Sequence, residues 1–292
     1  MLYKQQYSMK TLKLTSRPLI NRLDRLDNKI TELFYDGEDI NKLSDRVVIA
    51  VVGSRKLSPY GKHVTEDITK KLASAGVIIV SGLAFGADIT AHKSCLEAGG
   101  ITWSVLPSDL ENIYPASHRG IAKSIVKNGG TLLTEHPSKH IPMRHDFLLR
   151  NRIIAALSDA VVITEATKQS GSLNTARHAK AMNIPVFAVP GPINNDLSSG
   201  TNLLIKNGAR ILTEVEDIFQ KLDIKPASEK VNKFSADSIE NEILKCISNG
   251  INTPALLSRE LNMGFIDIQS KLTILEIDGL VSQDSTGNLI LV

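Results

Sequence analysis

Gly53-Ser54-Arg55 follows the apolar run Val47–Val52, so a β-rich segment ends on a glycine, a hydroxyl and a cation. That ending suits a phosphate. Glycine lets an anion approach the backbone, and arginine adds charge and donors. Comparable endings recur: Ser81-Gly82 with Gly86-Ala87-Asp88, Glu165 with Ser170-Gly171-Ser172, and Pro190-Gly191-Pro192 with Ser199-Gly200-Thr201-Asn202. Helices that open on such turns offer free N–H groups and partial positive charge. One turn of this kind is an ordinary loop. Four at the carboxyl ends of parallel strands would share the edge where open α/β sheets bind ligands.

The usual nucleotide signatures are missing. No G-x-G-x-x-G follows the first run, and Gly53 is too far from Gly61-Lys62 for a P-loop, with His63 where its hydroxyl belongs. With no such hydroxyl or evident acidic partner to recruit Mg²⁺, NTP hydrolysis is not expected. No nucleophile–base–acid set stands out, so neither catalytic residues nor a cofactor are expected. His136, His140 and His145 fit no zinc spacing and have no cysteine nearby, so they read as loop histidines and no metal site is expected.

The segment 143–158, MRHDFLLRNRIIAALS, carries Arg150 and Arg152. Two residues apart on a helix, they point to different sides. At most one faces a ligand, and the other pairs with an internal carboxylate such as Asp159 or Glu165. Arg177 and Lys180, three apart, share a helix face. Phe147 is a candidate stacking platform or a core side chain, and Trp103 lies in a strand and is expected to be buried. Aromatics make up only 4% of the chain, which leaves few such platforms.

The elements that must position these residues follow from periodicity. Short β-rich runs at 47–52, 77–80, 101–106, 131–134, 160–164, 185–189 and 210–213 alternate with amphipathic helical patterns. Uniformly apolar strands need cover on both faces. The fold class is therefore α/β, a Rossmann-like doubly wound parallel sheet. Residues 1–46 read as a basic N-terminal extension, 47–222 as the Rossmann-like domain and 223–235 as a linker. Residues 236–292, with three helical patterns and a terminal hairpin, read as a small winged-helix-like domain.

Charge divides unevenly. Residues 47–234 carry 22 basic and 16 acidic side chains, whereas 235–292 carry 3 and 8. The middle attracts polyanions and the tail repels them. Within 265–279, Lys271 faces Asp267, Glu276 and Asp278, unsuited to reading duplex DNA, so the tail is expected to serve protein contacts or to pack on its own core. No window approaches the ~20 apolar residues of a membrane span. Cys95 and Cys246 lie in no ligand spacing and read as buried free thiols, so a cytoplasmic location is expected.

The strings VVGSRKLSPYGK, SGLAFGADITAH, IYP (113–115), RNRIIAALS, SGSLNTARHAK, VFAVPGPI and SSGTNLLIKNGA resemble the DprA/Smf family, in that family's order, over about residues 45–220. The resemblance implies a cytoplasmic protein of natural transformation that binds single-stranded DNA without sequence preference or catalysis. It implies a homodimer that protects incoming strands and helps load RecA recombinase onto DNA covered by single-strand-binding protein. Carried over by motif, Arg55, Arg152 and Lys180 line a basic pocket. Gly53, Ser54, Ser81, Gly82, Ser170, Gly171, Ser172 and Thr175 belong to the turns that supply donors. His145-Asp146-Phe147 departs from the family's Asn-Phe-Pro and would put the charge of Asp146 near the groove. Longer relatives carry a helical N-terminal domain, for which only about 46 residues stand here, so that domain's function is expected to be lost or reduced. The alternative is a nucleotide-binding or phosphoribohydrolase-type enzyme on the same fold. Asn128–Glu135 resembles the PGGxGTxxE signature of such enzymes, without its proline and central glycine, and Glu135 would be required.

Overall fold

Val48–Val52 is buried at every position, as a strand covered on both sides must be. The computed structural model describes residues 10–13, 16–27, 29–30, 32–224, 239–277, 279–284 and 287–291. They fall into two units, Met1–Ala227 and Ser228–Val292.

In chain order the first unit runs β1 (Lys10–Thr11), α1 (Arg17–Leu23), β2 (Phe34–Gly37), β3 (Val48–Val52), α2 (Pro59–Ser74) and β4 (Ile78–Ser81). It continues through α3 (Ala87–Glu97), β5 (Thr102–Val105), α4 (Arg119–Lys127), β6 (Thr131–Thr134), α5 (Arg144–Leu157) and β7 (Ala160–Ile163). It closes with α6 (Ser172–Ala181), β8 (Val186–Ala188), α7 (Ser199–Lys206), β9 (Arg210–Ile211) and α8 (Glu216–Leu222). The nine strands form one sheet in the order β1-β2-β6-β5-β4-β3-β7-β8-β9. From β6 to β9 all pairings are parallel, while β2 runs antiparallel to β6. Strand order reverses between β3 and β7, the switch point beside which such sheets open a crevice.

Alternate residues of β3 enter two cores. Val48, Ala50 and Val52 pack with α1, α5 and α6, while Ile49 and Val51 pack with α2, α3 and α8. Trp103, fully buried, belongs to the first. A third cluster, with Leu83, Leu106 and Leu132, is covered by α4.

Residues 10–46, which composition marks as an extension, contribute β1, α1 and β2 to this unit. Arg22 explains why their basic character misleads: it is buried, reaches Asp159 at 2.6 Å and donates to the Ser44 and Arg46 carbonyls. Most of the expected linker, 225–235, lies outside the described residues. Cys95 is buried, which pushes its thiol up to about 12, whereas Cys246 is only half-buried.

The second unit consists of α9 (Ile239–Ser248), α10 (Pro254–Glu260), α11 (Phe265–Ile277) and an antiparallel hairpin of β10 (Val281–Gln283) and β11 (Leu289–Leu291). Its core joins Ile243, Ile247, Leu257, Ile268 and Leu275. Lys271 is paired at 2.6 Å with Glu240 of α9.

Among the described residues no helix is long and apolar enough to cross a membrane.

Candidate nucleic-acid interface

The turns singled out above gather at the carboxyl edge of the sheet, but most of their polar groups are already used. The Ser54 N–H donates to the Glu165 carbonyl at 2.6 Å, and its hydroxyl donates to the Lys56 carbonyl. A Cβ on Gly53 would stand 2.8 Å from that Glu165 carbonyl and 2.9 Å from the Ala87 methyl. This glycine is required by the protein's own packing, not by a ligand's approach. Gly86, at φ +72°, lets the next turn lie against the Ser54 carbonyl.

Glu165, itself buried, fills the crevice at the switch point. Its carboxylate accepts from the Ser58 N–H at 2.8 Å and from the Ser58 hydroxyl at 2.6 Å, at the start of α2. The anion that a nucleotide phosphate would supply at that helix N-terminus is provided by the chain itself.

Ser81 is fully buried and donates to the Val51 carbonyl. Gly82 leaves room for the Arg150 guanidinium, which donates to the Gly82 carbonyl at 2.6 Å and to the Val105 carbonyl. Ser81 and Gly82 are therefore frame, as is buried Thr175 of α6. Arg150 is the internal arginine of its pair, but its electrostatic partner is Asp88. Asp159 is held by Arg22 and Glu165 by Ser58. Burial lowers Arg150 to about 10, opposed by the Asp88 charge. Burial likewise raises the Asp88 carboxyl, opposed by Arg150 and by the Gly82 and Ala84 N–H groups.

Arg152 points elsewhere. It pairs with Glu135 at 2.5 Å, with side-chain exposures of 14% and 22%. It lines a cleft with Arg25 and His178, between α1, α5 and α6. Lys180 stands in the last turn of α6 and donates to the Asn207 carbonyl at the end of α7. Eight residues from Ser172, it is about 12 Å down the helix axis, at the opposite edge of the sheet from Arg55.

What stays open on the rim is different. Arg55 is exposed, its guanidinium 5.0 Å from the centroid of the Phe147 ring. Phe147 meets Tyr114 edge-on at 5.4 Å. Phe85, half exposed, meets His118 edge-on at 4.7 Å. Tyr60, at the start of α2, is also exposed. Tyr60, Phe85, Tyr114 and Phe147 follow β3, β4, β5 and β6, four neighbouring strands. Each of these four strands is thus followed by an aromatic residue, a concentration that composition hides.

One turn stays partly accessible: Gly171 is exposed and Ser170 half-buried, while Ser172 is buried and its hydroxyl bonds that of Ser170 at 2.8 Å. Asn151, four residues after Phe147 on α5, donates to the Gly171 carbonyl. The α5 stripe Phe147–Asn151 therefore links Arg55 to this turn.

Asp146 does not burden the groove. It is buried, accepts from the Met143 N–H at 2.7 Å to cap α5, and is flanked by His140 and His145.

Fold and site together define a Rossmann-like α/β protein with a closed nucleotide crevice and an exposed rim of aromatic and cationic side chains. The family model of DNA recombination-mediator protein A matches residues 10–223, and the chain belongs to that family. Protein Smf of Escherichia coli is 44% identical over 190 residues, 65% of this chain and 50% of that one. The chain spans about half the length of the first curated relatives it matches. DNA processing protein A of Helicobacter pylori, described for its single-stranded DNA binding mode, superposes with a TM-score of 0.68 at 31% identity, over 75% of this chain and 99% of that one. DNA processing protein A of Streptococcus pneumoniae gives 0.66 at 32% identity, over 74% and 75%.

Proposed function

We propose that this protein binds single-stranded DNA along the carboxyl rim of its sheet, without sequence preference and without catalysis. The observation that carries this reading is the array of exposed Arg55 and Tyr114 on the half-buried Phe147 ring. Strand binding of this type combines cations that track phosphates with rings on which bases stack, and stacking tolerates any base. The Helicobacter pylori relative's single-stranded DNA binding supports the same reading. Ser170 and Gly171 are the accessible part of the turn beside the array, and buried Ser172 braces it. Gly53, Ser54, Ser81, Gly82, Arg150, Arg152 and Thr175 hold the rim in shape, and Lys180 lies off the path.

In this reading the protein works in the cytoplasm as a recombination mediator in natural transformation. A homodimer shields incoming strands and hands them to RecA in competition with single-strand-binding protein. The acidic second unit, winged-helix-like in its order of elements, serves protein contacts, because its Lys271 is spent on Glu240. The nucleotide-enzyme alternative meets a crevice filled by Glu165 and a Glu135 bound to Arg152.

A titration with poly-dT, duplex DNA and free AMP at two salt concentrations tests this. Poly-dT should bind tightest, with log K falling by about 0.7 per neutralised phosphate per decade of salt. Tighter AMP binding, or release of its base, would reject the reading.

A further inference from the structure

The connection between β6 and α5 carries His136 and His140, and the first turn of α5 carries His145; their spacing in the chain matches no metal motif. Folding brings two of them together with a carboxylate. The His136 and His140 rings stack with centroids 3.6 Å apart and planes within 4°, so one ring must turn about its Cβ–Cγ bond for both in-plane lone pairs to reach one ion. His140 Nε2 lies 2.9 Å from Asp146 Oδ2. One ligand atom each from His136, His140 and Asp146 falls within 4.8 Å of the other two. Both imidazoles are half-buried and the carboxylate is buried.

Two imidazoles and a carboxylate make a borderline N₂O set, matched to Zn²⁺, Co²⁺ or Ni²⁺ and poorly matched to Mg²⁺. In tetrahedral zinc sites, with metal–ligand bonds of about 2.0–2.2 Å, ligand atoms sit roughly 3.3 Å apart. The His140–Asp146 separation is already close to that.

We propose that His136, His140 and Asp146 form a binding site for Zn²⁺ or a similar divalent transition ion, with water completing the tetrahedron. His145, 3.1 Å from the other Asp146 oxygen, orients that carboxylate from outside the set. The ion would clamp the loop after β6 to the first turn of α5. Phe147 follows Asp146 directly, so the clamp would also steady the rim's central ring. The site stands on its own geometry and does not depend on DNA binding.

The test uses the full chain without a histidine tag, stripped by a chelator and then titrated with Zn²⁺ against a chromophoric competitor. Co²⁺ is added in parallel, and its visible spectrum reports four-coordinate geometry. One ion per chain should bind, unaffected by excess Mg²⁺. H136A and H140A should each weaken binding by about 100-fold or more, since even an outer partner is worth 10–100-fold. H63A, at an exposed position of α2, should bind like the wild type. The His136 side chain does not cap α5, so H136A with an unchanged far-ultraviolet circular dichroism spectrum separates lost coordination from lost folding. No uptake by the wild type at about 100 µM free Zn²⁺, far weaker than structural zinc sites, would overturn the assignment. So would equal affinity in H136A and H140A.

Discussion

Arg55 and Arg152 both belong to motifs with the same apparent task, yet they sit in opposite situations. Arg55 lies exposed over an aromatic ring, and among the described residues no carboxylate stands within ion-pairing distance. Arg152 is largely covered and closed on Glu135. The difference teaches that a cation's availability is set by the nearest carboxylate in space, which spacing along the chain does not reveal. Arg150 is the extreme case, enclosed and bonded to two strand-end carbonyls.

Breaking the enclosed end of this comparison should have the largest effect. Arg150→Met strands Asp88 and two buried carbonyls, so urea denaturation should show a loss of about 3–5 kcal/mol, as for one partner removed from a buried charged network. Next come the exposed partners, which differ in kind. Phe147→Ala should cost about 1–3 kcal/mol of poly-dT affinity through lost stacking while leaving the salt slope intact. Arg55→Ala should weaken binding and flatten that slope by about 0.7. A change in slope for Phe147→Ala, or none for Arg55→Ala, would exchange their parts.

A smaller effect concerns His92, in the frame beneath the rim. The Thr102 hydroxyl donates to the Ile79 carbonyl, so His92 Nδ1 must donate to Thr102, and Nε2 is left buried without a partner among the described residues. Burial and the Arg150 charge lower its pKa from 6.5 to about 3. The unfolded chain takes up this proton first, so stability is full above pH 6.5 and is lost as pH falls towards about 3. The slope is at most about 1.4 kcal/mol per pH unit. His92→Gln should flatten that acid limb in denaturation curves measured across the window. The smallest effect belongs to the sites off the path. Lys180→Ala and Arg152→Ala should leave both poly-dT affinity and salt slope within error, and a flattened slope in either would return it to the groove.

The parallel strands were legible because β3, β4, β6 and β7 are short runs of apolar residues. β2 was not: Phe34-Tyr35-Asp36-Gly37 has neither the length nor the composition of a buried strand, and pairing with β6 makes it one. At the site, Arg55 was legible because a cation after a strand-ending glycine falls on the rim of any parallel sheet. Lys180 was misplaced because its motif begins at the rim, while the helix carries its last turn to the other edge. Scarcity of aromatics was the weakest guide, since Tyr114 and Phe147, 33 residues apart, meet only in the fold.

The sequence by itself determined the alternation of strands and helices, the edge on which the glycine turns collect, and the charge contrast between the two units. These follow from local periodicity and composition, which each segment carries wherever it is placed. Only the tertiary structure decided which polar groups remain available. Hydrogen bonds and ion pairs are made between segments up to 137 residues apart, and a buried donor or charge that finds its partner inside the fold is no longer free to hold a ligand.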